Sequence, residues 1–310
     1  MTNKPSRTIQ EQIELLKSRG MLFKNEATAE EILKNVSYYR LKGYWWEMQI
    51  DKTNHVFIPH LFFEDVMEKY EFDRELRLIL YYAIEIIEIA LRAKMIYHLS
   101  QSYGSLWYLN GNLFENTDLF RSHLKELQDE FARSGETFVK NFKYKHRITN
   151  KNPSKWEVSC NPNAWLIFEV ATFGCLSKMY KNLKHQLPQK SVIAKEFGLN
   201  LHNELSSWLE SISYLRNIVA HHSRVWSRTM VKTPMRITNP HLPWLTMPLS
   251  KYQEKRPFYV ISSMLYLCNA IKPNNQFKEK LFGLFTKYPH LPLYKLGFVG
   301  QWQNEELWGK

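Results

Sequence analysis

Cysteine is scarce: Cys160, Cys175 and Cys268 are the only three in 310 residues. An odd number at long spacings excludes a disulfide framework and gives no zinc-type pattern. The expected compartment is therefore a reducing one, the cytoplasm. Glycine is also sparse, with 11 residues. No glycine-rich phosphate loop can be drawn, and no His/Asp cluster of metal-binding spacing accompanies it. The expectation is no metal and no cofactor. Long apolar runs are missing as well. The most apolar stretch, 76–97, is interrupted by Glu85, Glu88 and Arg92, so it does not read as a membrane span. Met1 to Gln12 carries no apolar segment of the signal-peptide kind.

What is abundant is apolar, aromatic and basic. Hydrophobic residues make up 44% and aromatics 15% of the chain, enough for a sizeable core. The formal charge is +12. A basic excess of this size favours a polyanion partner, and with no membrane signal that partner is nucleic acid.

Apolar residues recur mostly at three- and four-residue intervals, which predicts an all-α protein. Helices are expected at 8–19, stopped by Gly20, and at 28–35, with Thr28 as cap and Glu31 completing a capping box. The aromatic stretch "SYYRLKGYWW" (37–46) is expected to pack these helices onto the rest, with Arg40 and Lys42 at its rim as candidate RNA contacts. "NHVFIP" (54–59) reads as a short strand or an extended arm. From 62 to 99 there is neither Gly nor Pro, so one long helix is expected, with a break near Asp73 as an alternative. Further helices are expected at 118–133, 164–183, 192–197, 201–228, 257–271 and 276–287. A polar, basic loop fills 139–163, and an irregular connection fills 233–257. The division expected is an N-terminal helical extension (1–60), a helical bundle (61–232), and C-terminal helices with an arm (233–310).

The densest chemistry is "SYLRNIVAHHSRVWSR" (213–228). At about 100° per residue on a helix, Trp208, Ile212, Leu215, Val219, His222 and Trp226 fall on one stripe, which suits burial. Asn217, His221, Arg224 and Arg228 fall on the opposite one. His222 is thereby expected in the core and His221 in solvent, beside an amide and guanidiniums. Arg216 either curls toward the Asn217/His221 face or meets His221 of another copy. On spacing alone, a solvated basic face that touches RNA phosphates without chemistry explains the stripe better than catalysis does, because polar stripes are common.

Arg216-Asn217-x-x-x-His221 resembles the R-N-x-x-x-H form of the motif that marks the HEPN superfamily. "RNIVAHHSRVWSR" resembles the signature of Abi-like abortive-infection proteins of the AbiD/AbiF type. So, in order, do "QIELLKSRGM" (12–21), "VSYYRLKGYWW" (36–46), "YEFDRELR" (70–77), "EIALRAKMIYHLS" (88–100) and "FGCLSKMYKNL" (173–183). The segment "KWEVSCNPNAW" (155–165) departs from the pattern. The resemblance implies a HEPN-type helical bundle that pairs with a second copy through the motif helix. It implies metal-independent RNA cleavage, in which the 2′-OH attacks the neighbouring phosphate and leaves a cyclic phosphate. His221 is then general base or acid, Arg216 stabilises the phosphorane, and Asn217 orients groups beside them. It further implies phage defence under the control of a structured non-coding RNA, in toxin–antitoxin fashion.

Glu88 is the candidate acid for Arg216. Glu88 and Arg92 otherwise form a favourable i,i+4 pair, although Arg92 and His98 repeat the R-x5-H spacing. Lys140, Lys143, Lys145, Arg147, Lys151 and Lys155 alternate with Phe142, Tyr144 and Trp156. Charges that track phosphates and rings that stack on bases suit unpaired RNA; a solvated loop is the alternative. Three functions remain open: a metal-independent endoribonuclease, a non-catalytic RNA-binding protein on the same fold, and a toxin acting through a protein partner.

Overall fold

The computed structural model describes residues 5–148 and 161–309. Its architecture is all-α, with one small hairpin. Helix α1 (Ile9–Ser18) starts at Thr8, whose hydroxyl accepts from Glu11 N while the Glu11 carboxylate accepts from Thr8 N. This reciprocal pairing satisfies two amides that a helix start leaves free. Helix α2 (Glu26–Asn35) begins earlier than expected. Its cap is Asn25, whose Oδ1 accepts from Thr28 N at 3.0 Å, so Thr28 is inside the helix. Helix α3 (Tyr38–Trp45) buries Leu41, Tyr44 and Trp45. Strands β1 (Gln49–Asp51) and β2 (Val56–Phe57) then pair antiparallel.

Helix α4 (Phe63–Tyr103) is the axis of the fold: 41 residues, about 60 Å at 1.5 Å per residue. It runs unbroken through Asp73. Leu76, Leu80, Ala83, Ile87, Leu91, Met95 and Leu99 are buried at three- and four-residue spacings, which gives it one continuous core-facing stripe. Helix α5 (Thr117–Arg133) follows, and then α6 (Thr137–Lys145). The start of the expected loop 139–163 is therefore helical. Val139 is buried, and Phe142 meets Phe131 edge-on at 5.6 Å, so α6 is pinned by two apolar contacts that a basic composition concealed.

The single helix expected over 164–183 is three pieces: α7 (Ala164–Ile167), a 3-10 turn at Phe168–Val170, and α8 (Phe173–Asn182). Thr172 restarts the chain by accepting from Cys175 N. Helices α9 (Pro188–Glu196), α10 (His202–Ala220), α11 (Lys251–Glu254), α12 (Pro257–Ile271) and α13 (Phe277–Lys287) complete the set. Helices α3, α9, α10, α12 and α13 all pack on α4, and α10 also packs on α8. Residues 257–268 of α12 are buried on every side. Phe298, Trp302 and Trp308 of the C-terminal arm close over Phe285 and Phe258.

Candidate functional site

The site is built on the C-terminal end of α10. Leu205, Trp208, Leu209, Ile212, Leu215, Ile218 and Val219 are buried, which fixes the rotation of the helix. Arg216 is left half-buried, and Asn217 and His221 are exposed. The helix ends sooner than its apolar pattern suggests. His221 is its cap, the His222 amide bonds Val219 O, and the Ser223 amide bonds Ile218 O. That pair of bonds is a Schellman turn, whose first residue beyond the cap must adopt a left-handed conformation. His222 holds that position, with φ +52°. It is exposed rather than in the core, so the expectation of a buried His222 is overturned. Helical projection stops being valid at residue 221; Trp226 reaches the core through the loop that follows.

Glycine is the usual occupant of such a position, because a Cβ there is strained. His222→Gly is therefore expected to raise stability by about 0.5–1 kcal/mol. Thermal melting of the two proteins checks this; a loss of stability would show that the imidazole itself holds the turn.

A buried carboxylate anchors the loop. Asp73 is fully buried on α4. Its Oδ1 accepts from Val225 N at 3.1 Å and Trp226 N at 2.6 Å. Its Oδ2 accepts from Tyr44 Oη at 2.7 Å and from Arg77 Nη1. Trp226 also donates its indole N–H to Glu47 at 2.7 Å. Helix α4 thus clamps the segment that begins at His221. The sequence offers Asp73 only as a candidate helix break. The missed signal was an aspartate on the buried stripe, four residues before an arginine.

Helix α3 docks on the same loop. Arg40 donates from Nη2 to His222 O at 2.5 Å, and the Arg224 side chain lies against Gly43. Arg228 Nε donates to Arg224 O at 2.7 Å, and the Lys42 ammonium sits 5.6 Å from the Trp46 ring centroid. Arg40, 182 positions from His222 in sequence, therefore joins Arg224 and Arg228 beside the two histidines.

On the other side of the motif, Arg92 donates to Glu88 at 3.1 Å and to Ala171 O at 3.0 Å. Burial pushes the Glu88 carboxyl above its ordinary pKa, and the Arg92 and Arg216 guanidiniums oppose that rise. Glu88 thus lies in the field of Arg216. His98 instead pairs with Glu196 of α9 at 2.9 Å, alongside Lys94, so the Arg92/His98 spacing splits between two separate ion-pair sets.

The basic segment divides likewise. Lys140, Lys145 and Arg147 are exposed. Lys143 donates to Ala132 O at 2.6 Å and so caps the end of α5; burial lowers its pKa. Lys151, Lys155 and Trp156 lie outside the described residues.

Among the described residues no three His, Cys, Asp or Glu side chains are grouped to hold a metal ion. No described helix is long and apolar enough to cross a membrane. Residues 31–227 match the family model described as Abi-like protein. No curated protein and no solved structure matches the chain.

Proposed function

The chain belongs to the Abi-like protein family, and on that premise we propose that it acts in abortive infection, as a HEPN-type endoribonuclease of the AbiD/AbiF kind controlled by structured RNA. One observation carries the reading. Arg216, Asn217 and His221 stand together at the end of α10, Arg216 half-buried and the other two exposed. Among the described residues none of their side chains has a hydrogen-bond or ion-pair partner. Most other cations of the chain's core elements are engaged: Arg77, Arg92, Lys69 and Arg256 all have partners. A guanidinium that has only the field of Glu88 to answer, an amide and an imidazole are groups available to a ligand.

The chemistry calls on these groups and on the same groups of a second copy. The 2′-oxygen of a ribose bonds to the adjacent phosphorus, its proton passes to a base, and the P–O5′ bond breaks as the leaving oxygen takes up a proton. His221 serves as base or acid. Arg216 meets the charge that builds on the phosphorane, and Asn217 orients the phosphate. A second copy pairing through α10 supplies the other proton-transfer partner, since each chain carries one such motif. Arg40, Arg224 and Arg228 hold flanking phosphates, and the +12 charge favours the bound RNA.

The competing reading is a protein that only binds RNA, and the two separate by residue. Arg216→Ala is expected to reduce cutting by about a hundredfold or more while leaving the salt dependence of RNA binding almost unchanged. Removing the exposed cations Lys140, Lys145 and Arg147 together is expected to lower that salt slope by about 2, at roughly 0.7 per phosphate contact. Salt titrations of both variants and the parent measure this. Equal loss of binding in Arg216→Ala would favour the binding-only protein.

A further inference from the structure

Helix α10 carries more than the motif on its unburied side. Glu210, Ser213 and Asn217 follow one another at three- and four-residue spacing, and His221 continues the line. Beside the Glu210–Ser213 half of this line opens a cavity of about 510 Å³, walled by α5, α8 and α10. It lies well within the roughly 300–1,000 Å³ typical of sites for small organic ligands. Ser213 is about 6 Å along the helix axis from Asn217, at 1.5 Å per residue. The cavity is therefore next to the motif, and none of the motif's own residues lines it.

Lys178 and Lys181 line the cavity from α8 in surface ion pairs, with Glu126 at 3.0 Å and Glu210 at 2.6 Å, and their side chains are more than half exposed. Exposed pairs of this kind are worth little, so an arriving anion can compete for the lysines. Ser177, Ser213 and His123 offer neutral hydrogen-bonding groups. Burial, helped by Lys178, holds the His123 imidazole below its ordinary pKa, so at neutral pH it is a flat, uncharged wall. Glu210 lies within the same lining, held by Lys181 and Lys232 at 2.6 Å each, and Glu115 is a second carboxylate there. The two lysines of the lining balance its two carboxylates, so the cavity favours an uncharged, hydrogen-bonding ring, with Lys178, whose carboxylate partner Glu126 is not part of the lining, left for a phosphate.

We propose that this cavity is a nucleoside subsite: it takes the base and ribose of an RNA nucleotide flanking the scissile phosphate and so sets the sequence at which the chain is cut. The assignment rests on the nuclease reading for its role, but its occupancy can be tested without cleavage. Leu119 stands at the cavity on α5 and is half exposed, so Leu119→Trp fills the space without disturbing the core.

The experiment titrates 3′-UMP, 3′-CMP, 3′-AMP and 3′-GMP into the full-length protein and into Leu119→Trp, with melting temperature as the check on folding. At least one mononucleotide is expected to bind saturably, and Leu119→Trp to weaken it by about tenfold or more. Lys178→Ala, a surface change, is the second variant and is expected to weaken the same ligand severalfold. Binding of none of the four, or binding that both variants leave unchanged, overturns the subsite. A parent protein that binds a mononucleotide but cuts no RNA leaves the subsite standing and counts only against the nuclease reading. Where RNA is cut, the parent is expected to favour particular bases beside the cut and Leu119→Trp to lose that preference.

Discussion

Asp73→Ala is expected to destabilise the protein by about 3–5 kcal/mol, the cost of breaking a buried ion pair by removing one partner. Three other donors lose their acceptor in the same change: Val225 N, Trp226 N and Tyr44 Oη. None has water to replace it, because the carboxylate is fully buried. The effect also reaches the motif. Val225 and Trp226 follow His221 by four and five residues, and their amides are what hold the loop to α4. Asp73→Asn keeps the shape but presents one amide nitrogen where two oxygens accept, so it should fall between the parent and Asp73→Ala. Urea denaturation of the three proteins measures the series. A loss below about 1 kcal/mol for Asp73→Ala would mean that the clamp adds no more than an ordinary hydrogen bond.

His221→Ala is expected to reduce RNA cutting by about a hundred- to ten-thousandfold, the usual contribution of a positioned general acid or base. Its melting temperature should stay within a degree or two of the parent, because the side chain is exposed and has no partner among the described residues. The turn it caps is held by backbone amides, which alanine retains. Single-turnover cleavage together with a melting curve separates the two outcomes. Unfolding of His221→Ala would move the residue from chemistry to architecture.

The helical class and the main axis were legible because they depend on local periodicity. The stretch 62–99 without Gly or Pro became α4, and the stripe Trp208, Ile212, Leu215, Val219 is buried as its spacing indicates. The error at His222 has a definite physical source. Helix ends are usually marked by glycine in the left-handed position, and here a histidine occupies it, so the sequence carried no stop signal before Ser223. Helix α6 was hidden because its two anchoring apolar residues sit among lysines. The Asp73 clamp was invisible for a different reason. It joins residues more than 150 positions apart, and no periodicity encodes which buried carboxylate meets which loop. The grouping of Arg40 with Arg224 and Arg228 was lost to sequence in the same way, although each was singled out separately as a candidate RNA contact.

In the proposed reaction the ribose 2′-hydroxyl of the RNA is the nucleophile, with Arg216 and His221 handling charge and protons. An RNA with one mapped cut is incubated with the protein in EDTA, beside the same RNA carrying 2′-deoxyribose on the 5′ side of that cut. The all-ribose strand is expected to yield a 2′,3′-cyclic phosphate and a 5′-hydroxyl, and the deoxy strand to remain whole. Cutting of the deoxy strand at a comparable rate would contradict the account, because the nucleophile would then have to come from somewhere else.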